Sequence, residues 1–278
     1  MIVDNANTPQ SGLIEQAVAR ANSTLAAKRQ TTVFYPTQEH ITDWLEGKLV
    51  APNTKNAGQL PPFTSMAHQD FAFCLAFFHP FMKTHLHHRT FKLNINGNDD
   101  LFYTPDFYVA YKDQHDQPHR AYIDFISDQS FMGQLPPRDR ERLMYFHEKR
   151  CTENNITAIQ IDEAALLDEI DYHFLSNIKD LFYHRFNVHP ILRLSFVPFL
   201  FEVQRLLRGQ ATLTVGDLIT ELEKLNSITD RTILRGFTKY LMARHQLHID
   251  LYQEINDDSP LRLRQNVGLF EEPFFLRC

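Results

Sequence analysis

The chain is poor in the groups that staple small or secreted folds together. It has three cysteines, Cys74, Cys151 and Cys278, in 278 residues, too few and too widely spaced for a disulfide framework or a zinc site. It lacks any apolar run near the ~18 residues needed to cross a bilayer. Its opening, MIVDNANTPQ, has no basic stretch followed by an apolar one. Neither a membrane span nor a secretory leader is therefore expected, and a cytoplasmic location follows. An excess of positive charge is missing too: the net charge is −6 and the pI about 6.1. Non-specific nucleic-acid binding is driven by phosphate neutralisation, so a protein that coats DNA by charge alone is excluded, and any DNA contact must be local. Trp44 is the only tryptophan, and no internal repeat or low-complexity tract appears.

What is present is an aromatic-rich globular chain, 43% hydrophobic and 22% charged with 23 phenylalanines, long enough for two domains. Leu13 to Lys28 and Gln38 to Lys48 read as helices, with Ala51 to Pro62 as a loop rich in turn residues. Ser65 is placed as the N-cap of a helix whose Phe71, Leu75 and Phe78 form a buried stripe, with His68 on the inner face of its first turn. Thr84 to Ile95 reads as a strand and Asn96-Gly97-Asn98 as a hairpin turn. Pro136-Pro137 open a charged helix running to about Glu153, packed through Leu143 and Phe146, and Ile156 to Ile161 is a short strand. A helix, three antiparallel strands, a helix and a strand predict a mixed α/β core of the α+β kind.

Within that core, Leu101 to Ser127 stands out. It reads as two strands joined by a polar loop centred on His115, with Pro105, Phe107, Val109, Ala121, Ile123 and Phe125 facing the core. That centring sets Asp106 directly opposite Asp124, and like charges ~5 Å apart repel unless a cation joins them. Paired carboxylates of this kind suit a hard divalent ion. His85, His87 and His88 form a second polar cluster. His85 and His87 share a strand face and His88 points away, so without a cysteine or third ligand the cluster reads as an exposed polar face.

After Asp162 the pattern becomes helical: residues 171–186, Ser195 to Arg208, Val215 to Leu225 and Thr229 to Arg244, with Thr214 and Asp217 capping the third. A strand over Leu247 to Tyr252, the turn NDDSP and a return strand over Leu261 to Arg264 follow. Three helices and a hairpin predict a winged helix-turn-helix with Thr229 to Arg244 in the recognition position. On that helix Arg231, Arg235 and Lys239, spaced i, i+4, i+8, put three cations on one face, opposite Leu234, Phe237 and Leu241. They are the candidate contacts to DNA or to a partner.

Taken in order, the Ser65 to Phe71 helix, YTPDF at Tyr103 to Phe107, a strand ending in an acidic residue and the LSNIKDLFYHRF helix ahead of a winged helix resemble the TnsA family, the endonuclease subunit of heteromeric Tns-type transposases. The resemblance covers residues 60–265, and YTPDF is its specific part. It implies a restriction-endonuclease-like domain of the PD-(D/E)xK type over 1–168 and a C-terminal winged-helix domain over 169–278. It also implies Mg²⁺-assisted cleavage at transposon ends, the metal polarising the phosphoryl oxygen and a lysine offsetting the developing charge. Carried over by position, Asp106 and Asp124 become the metal carboxylates. The helix glutamate position is His68 and the lysine position is Ile126, while Lys92 on the preceding strand is the lysine able to substitute.

The expectation is therefore a TnsA-like subunit of a DNA transposition machinery with an impaired nuclease centre, binding transposon-end DNA or partner subunits. By resemblance those partners are a DDE-type transposase subunit and an AAA+ ATPase regulator. Two other readings stand beside it: an active endonuclease with a site rebuilt from Asp106, Asp124, His68 and Lys92, and a winged-helix DNA-binding regulator.

Overall fold

The computed structural model of the chain describes residues 36–50, 63–78, 82–86, 91–94, 100–113, 115–128, 130–164, 166, 172–209, 213–225, 228 and 230–263. Four expectations lie outside these residues: the Leu13 to Lys28 helix, the Ala51 to Pro62 loop, the Asn96 to Asn98 turn, and His87 with His88. The chain divides into two compact units. One is drawn from Leu49–Glu169, the other from Gln38–Lys48 together with Ile170–Glu271. Helix α1 (Gln38–Leu45) thus groups with the C-terminal part of the chain.

In the first unit, Ser65 caps helix α2 (Met66–Phe77) by accepting the His68 N–H at 3.1 Å. Every residue of α2 except Met66 and Asp70 is buried, so the helix is wrapped on all sides rather than along the single stripe its spacing predicts, and Phe78 is its half-buried C-cap. Strand β1 (Met82–Leu86) follows. The long strand expected from Thr84 to Ile95 is not continuous. Its second part, β2 (Phe91–Asn94), pairs with β3 (Asp100–Tyr103) in a separate two-stranded ribbon.

The main sheet continues with β4 (Phe107–Lys112), β5 (Pro118–Ile126) and, after helices α3 (Phe131–Gln134) and α4 (Pro137–Thr152), β6 (Thr157–Asp162). Its order is β1-β4-β5-β6; the first two pairings are antiparallel, and β5 and β6 run parallel. A parallel neighbour needs a crossover, and α4 lies within it. Phe107 pairs with Ile123 and Val109 with Ala121, the register centred on His115 that the sequence predicts.

Alternation along the strands then makes two packing faces. Phe107 and Phe125 meet His68 and Phe71 of α2. On the other face Tyr122 and Ile126 join Phe91, Tyr103, Leu143, Met144 and Cys151, under the ribbon and α4. The end of β5 is fixed by Ser130, whose hydroxyl takes the N–H groups of Ser127 and Gly133, each at 3.0 Å, and donates to Ser127 O. Glycine is required here: a Cβ at position 133 would stand 1.8 Å from Ser127 O.

The second unit contains α1, α5 (Tyr172–Phe186), α6 (Pro190–Gly209), β7 (Leu213–Thr214), α7 (Val215–Leu225), α8 (Arg231–Ala243), β8 (Leu247–His248) and β9 (Pro260–Leu263). The three strands form a small sheet in the order β7-β9-β8. Thr214 and Asp217 make the reciprocal cap expected of them: Thr214 Oγ1 accepts the Asp217 N–H at 3.1 Å, and Asp217 Oδ2 accepts the Thr214 N–H at 3.3 Å. Leu234, Phe237 and Leu241 of α8 are fully buried, Phe237 against Phe199 of α6. Trp44 packs edge-on against Phe182 of α5, with Lys179 Nζ 5.1 Å from its ring. The strand expected over Leu247 to Tyr252 stops at His248. From there the chain turns, with Asp250 accepting the Tyr252 N–H, and Asn177 of α5 ties the turn down by donating to Leu251 O and Gln253 O.

Candidate functional site

Asp106 and Asp124 flank the register expected of them, yet each carboxylate has its own commitments. Strand β4 begins only at Phe107, because Pro105 brings no N–H to a ladder. The Asp106 side chain steps into the gap, its Oδ2 accepting the Phe125 N–H at 2.9 Å. Asp124 is fully buried and lies on the face of Tyr122 and Ile126. Its Oδ1 takes a hydrogen bond from the Tyr103 hydroxyl, and its Oδ2 stands 3.6 Å from His147 Nδ1 of α4. On the far side of that ring, Nε2 lies 3.3 Å from Cys151 Sγ. The result is a buried chain, Tyr103, Asp124, His147, Cys151, that links the ribbon, the sheet and α4.

The chain has the order of a carboxylate, a base and a thiol but not their electrostatics. Burial drives the His147 imidazole down to about 4. Desolvation of the fully buried ring is the cause. Burial, then the negative charges of Asp124 and Glu148, push the Cys151 thiol up to about 12. A nucleophilic cysteine needs an accessible thiolate; this one is a protonated, 1% exposed packing residue.

The other residues of the expected centre are not brought to Asp124. His68 stands on the opposite face of the sheet, stacked on Phe125 at 5.0 Å and edge-on to Phe107 at 5.1 Å. Its Nδ1 accepts the Thr64 N–H at 3.2 Å, and Thr64 Oγ1 in turn lies 3.4 Å from Ser127 Oγ. Lys92 is exposed on the ribbon; its neighbour Phe91 is the residue that turns inward, onto Tyr122 and His147. Ile126 is buried in the apolar cluster under α4. On the face shared with α2, the last two positions of β5 are the buried Ile123 and Phe125, and Ser127 follows just beyond the strand's end.

Among the described residues no group of three His, Cys, Asp or Glu side chains is arranged to hold a metal ion. Mg²⁺ demands near-octahedral oxygen donors and keeps several waters. One carboxylate bound to a backbone N–H and another sealed beside a tyrosine and a histidine do not fit it. His85 lies half-buried beside Tyr108, and burial lowers its pKa.

The cationic stripe of α8 is present but neutralised within the second unit. Arg231 Nη1 lies 2.9 Å from Glu223 of α7, and Lys239 Nζ 2.8 Å from Asp180 of α5. Arg235 makes two contacts with Asp257, at 3.3 and 2.5 Å. Helix α5 lies along α8: a Cβ at Gly236 would meet His184 Nδ1 at 3.8 Å, and Arg185 Nε donates to Ala243 O at 3.0 Å. Burial and the neighbouring Arg244 lower the Arg185 guanidinium to about 10, still charged at neutral pH. Thr232 and Arg235 of α8 are exposed and Arg231 and Lys239 half-exposed, and all three cations are already engaged by carboxylates.

Sequence reasoning missed Tyr103, His147 and Cys151, although His147 and Cys151 at i, i+4 continue the apolar face of Leu143 and Met144. It also missed Glu223, Asp257 and Asp180, which carry no local signal. No family model matches this chain, and no curated protein is significantly similar to it.

Proposed function

We propose that the chain is a TnsA-like subunit of a heteromeric DNA transposition machinery whose nuclease centre no longer cuts and which acts by binding partner subunits or transposon-end DNA. The observation that carries the first part is the state of Asp124. Its carboxylate is enclosed with Tyr103 and His147 on the face of the sheet opposite His68. A cutting centre needs both groups on one face around a hydrated ion.

The order of elements supports the finer fold reading. A buried helix ahead of three antiparallel strands, then a helix and a parallel strand, is what a PD-(D/E)xK core requires, and the proline-aspartate pair falls at the start of β4. In the second unit, three helices with a short strand after the first and a hairpin after the last match a winged helix. The ion pairs of Arg231, Arg235 and Lys239 favour partner-subunit binding over DNA reading by α8. By resemblance, the partners are a DDE-type transposase subunit and an AAA+ ATPase regulator.

The test is a cleavage assay on a duplex carrying a transposon end, with Mg²⁺ or Mn²⁺, alongside co-purification with the transposase subunit. No strand cleavage is expected, and Asp106→Ala should leave complex formation unchanged. Metal-dependent cleavage that disappears in Asp106→Ala would establish an active endonuclease instead.

A further inference from the structure

Strand β6 lies at one edge of the main sheet: among the described residues its one strand neighbour is β5. Six consecutive residues keep that register without a bulge, so every second one turns its N–H and C=O away from β5. Natural edges are blunted by lysine, proline, a bulge or a very short strand. The other edges among the described residues follow that rule. Strand β1 carries the exposed Lys83 and the ribbon the exposed Lys92, while β7 and β8 have two residues each. Strand β6, TAIQID, has none of these devices, and its one charge, Asp162, stands at its last position. We propose that β6 is a self-pairing edge: two copies of the chain join β6 to β6, antiparallel about a two-fold axis at Gln160, and two four-stranded sheets become one of eight strands.

Two features select a second copy as the occupant. The first is the pattern of the strand against itself. A two-fold axis perpendicular to the sheet keeps each face on its own side, so residues opposed across the join share a face. Centred on Gln160, Ile159 stands opposite Ile161 of the second copy, Gln160 opposite Gln160, and Asp162 opposite Ala158. Apolar meets apolar, two amides can exchange hydrogen bonds, and the one charge never meets its like. A centre at Ile159 would instead set Asp162 against Ile156 and Thr157 against Ile161.

The second feature is the margin of the strand. Ile156 and Ala158 on the α4 face and Ile159 on the α2 face are only half-buried, although β6 packs against the core. A neighbouring strand removes that apolar surface from water while it completes the backbone ladder. A DNA strand does neither. Such a dimer carries two second units, and two linked copies hold a two-site target more tightly than one. The join uses neither Asp106 nor Asp124 and stands whether or not the first unit cuts DNA, so the cleavage assay and the test below fail independently.

The test is sedimentation equilibrium of the full chain over a wide range of concentration, with amide exchange read at β6. The mass should rise towards twice the 32.6 kDa of one chain, and the outward amides of β6 should exchange more slowly as it does. Gln160→Lys opposes two lysines across the axis and should weaken association about tenfold or more. Gln160 is exposed, and an unchanged far-ultraviolet circular dichroism spectrum would show that the variant folds. A monomer at every concentration, a dimer that Gln160→Lys leaves equally tight, or β6 amides that exchange independently of concentration overturns the proposal. So does protection of β6 that requires an added protein, which would make this edge a docking strand for a different chain.

Discussion

In the first unit Asp124, His147 and Cys151 are 0–1% exposed and touch one another in series. In the second, Arg231, Arg235 and Lys239 keep 30–48% of their side-chain surface and pair with carboxylates that are about equally exposed. Polar and charged side chains in the two places therefore carry very different energies. A buried polar group has exchanged its water for specific partners, and losing one leaves the other desolvated and unpaired. A half-exposed pair regains water when it is broken and loses little. Asp124, which the sequence presents as part of a reactive centre, belongs here to the buried interior, and the cations that look like a binding face are ties between elements of the second unit.

The largest effect should come from Asp124→Ala. Removing the carboxylate strands the Tyr103 hydroxyl and the His147 ring in a dry interior, and the first unit should lose about 3 kcal/mol. Amide exchange of β4 and β5 in denaturant would measure it. Trp44, the only tryptophan, lies in the second unit, so its fluorescence transition should stay put. A loss below about 1 kcal/mol would put the buried chain on a par with the surface pairs and end the contrast.

Next comes pH. In the unfolded chain His147 takes up a proton near 6.5, but in the folded protein only near 4. The unfolded state therefore binds more protons between those values. The stability is fully present above 6.5 and declines as pH falls to 4, by roughly 3 kcal/mol in all. Urea midpoints of the first unit across that window would show the slope, and His147→Gln should flatten it. A slope unchanged in that variant would assign the acid sensitivity to other groups.

The smallest effect is expected on the surface. Lys239→Ala or Arg231→Ala should cost less than about 1 kcal/mol, read from the Trp44 transition. A larger loss would mean that the ties to Asp180 and Glu223 hold the second unit together rather than trim its surface.

Much of the architecture was legible from local patterns. The alternation on β4 and β5 with a polar loop at His115 is enough to set their register, since a one-residue slip would turn Asp124 and Tyr122 to the other face. The Thr214 and Asp217 cap, the Ser65 cap and the buried face of α8 follow from spacings of three and four residues. The break between β3 and β4 was signalled only by Pro105, and the move of β2 into a separate ribbon had no signal at all. Strand pairing depends on partners far along the chain, which periodicity does not name.

The candidate site was legible as residues but not as an arrangement. By itself the sequence determined the pairing of β4 with β5 about His115, which sets Phe107 against Ile123, and that three cations share one face of a helix. Hydrophobic alternation and helical spacing act within a few residues and leave no other choice. Only the tertiary structure decided that Asp124 faces His147 rather than His68, and that each cation of α8 meets a carboxylate from α7, α5 or the β8–β9 connection. Those outcomes depend on which elements cover each face. That covering is settled by packing the whole interior at once, which periodicity within one element does not specify.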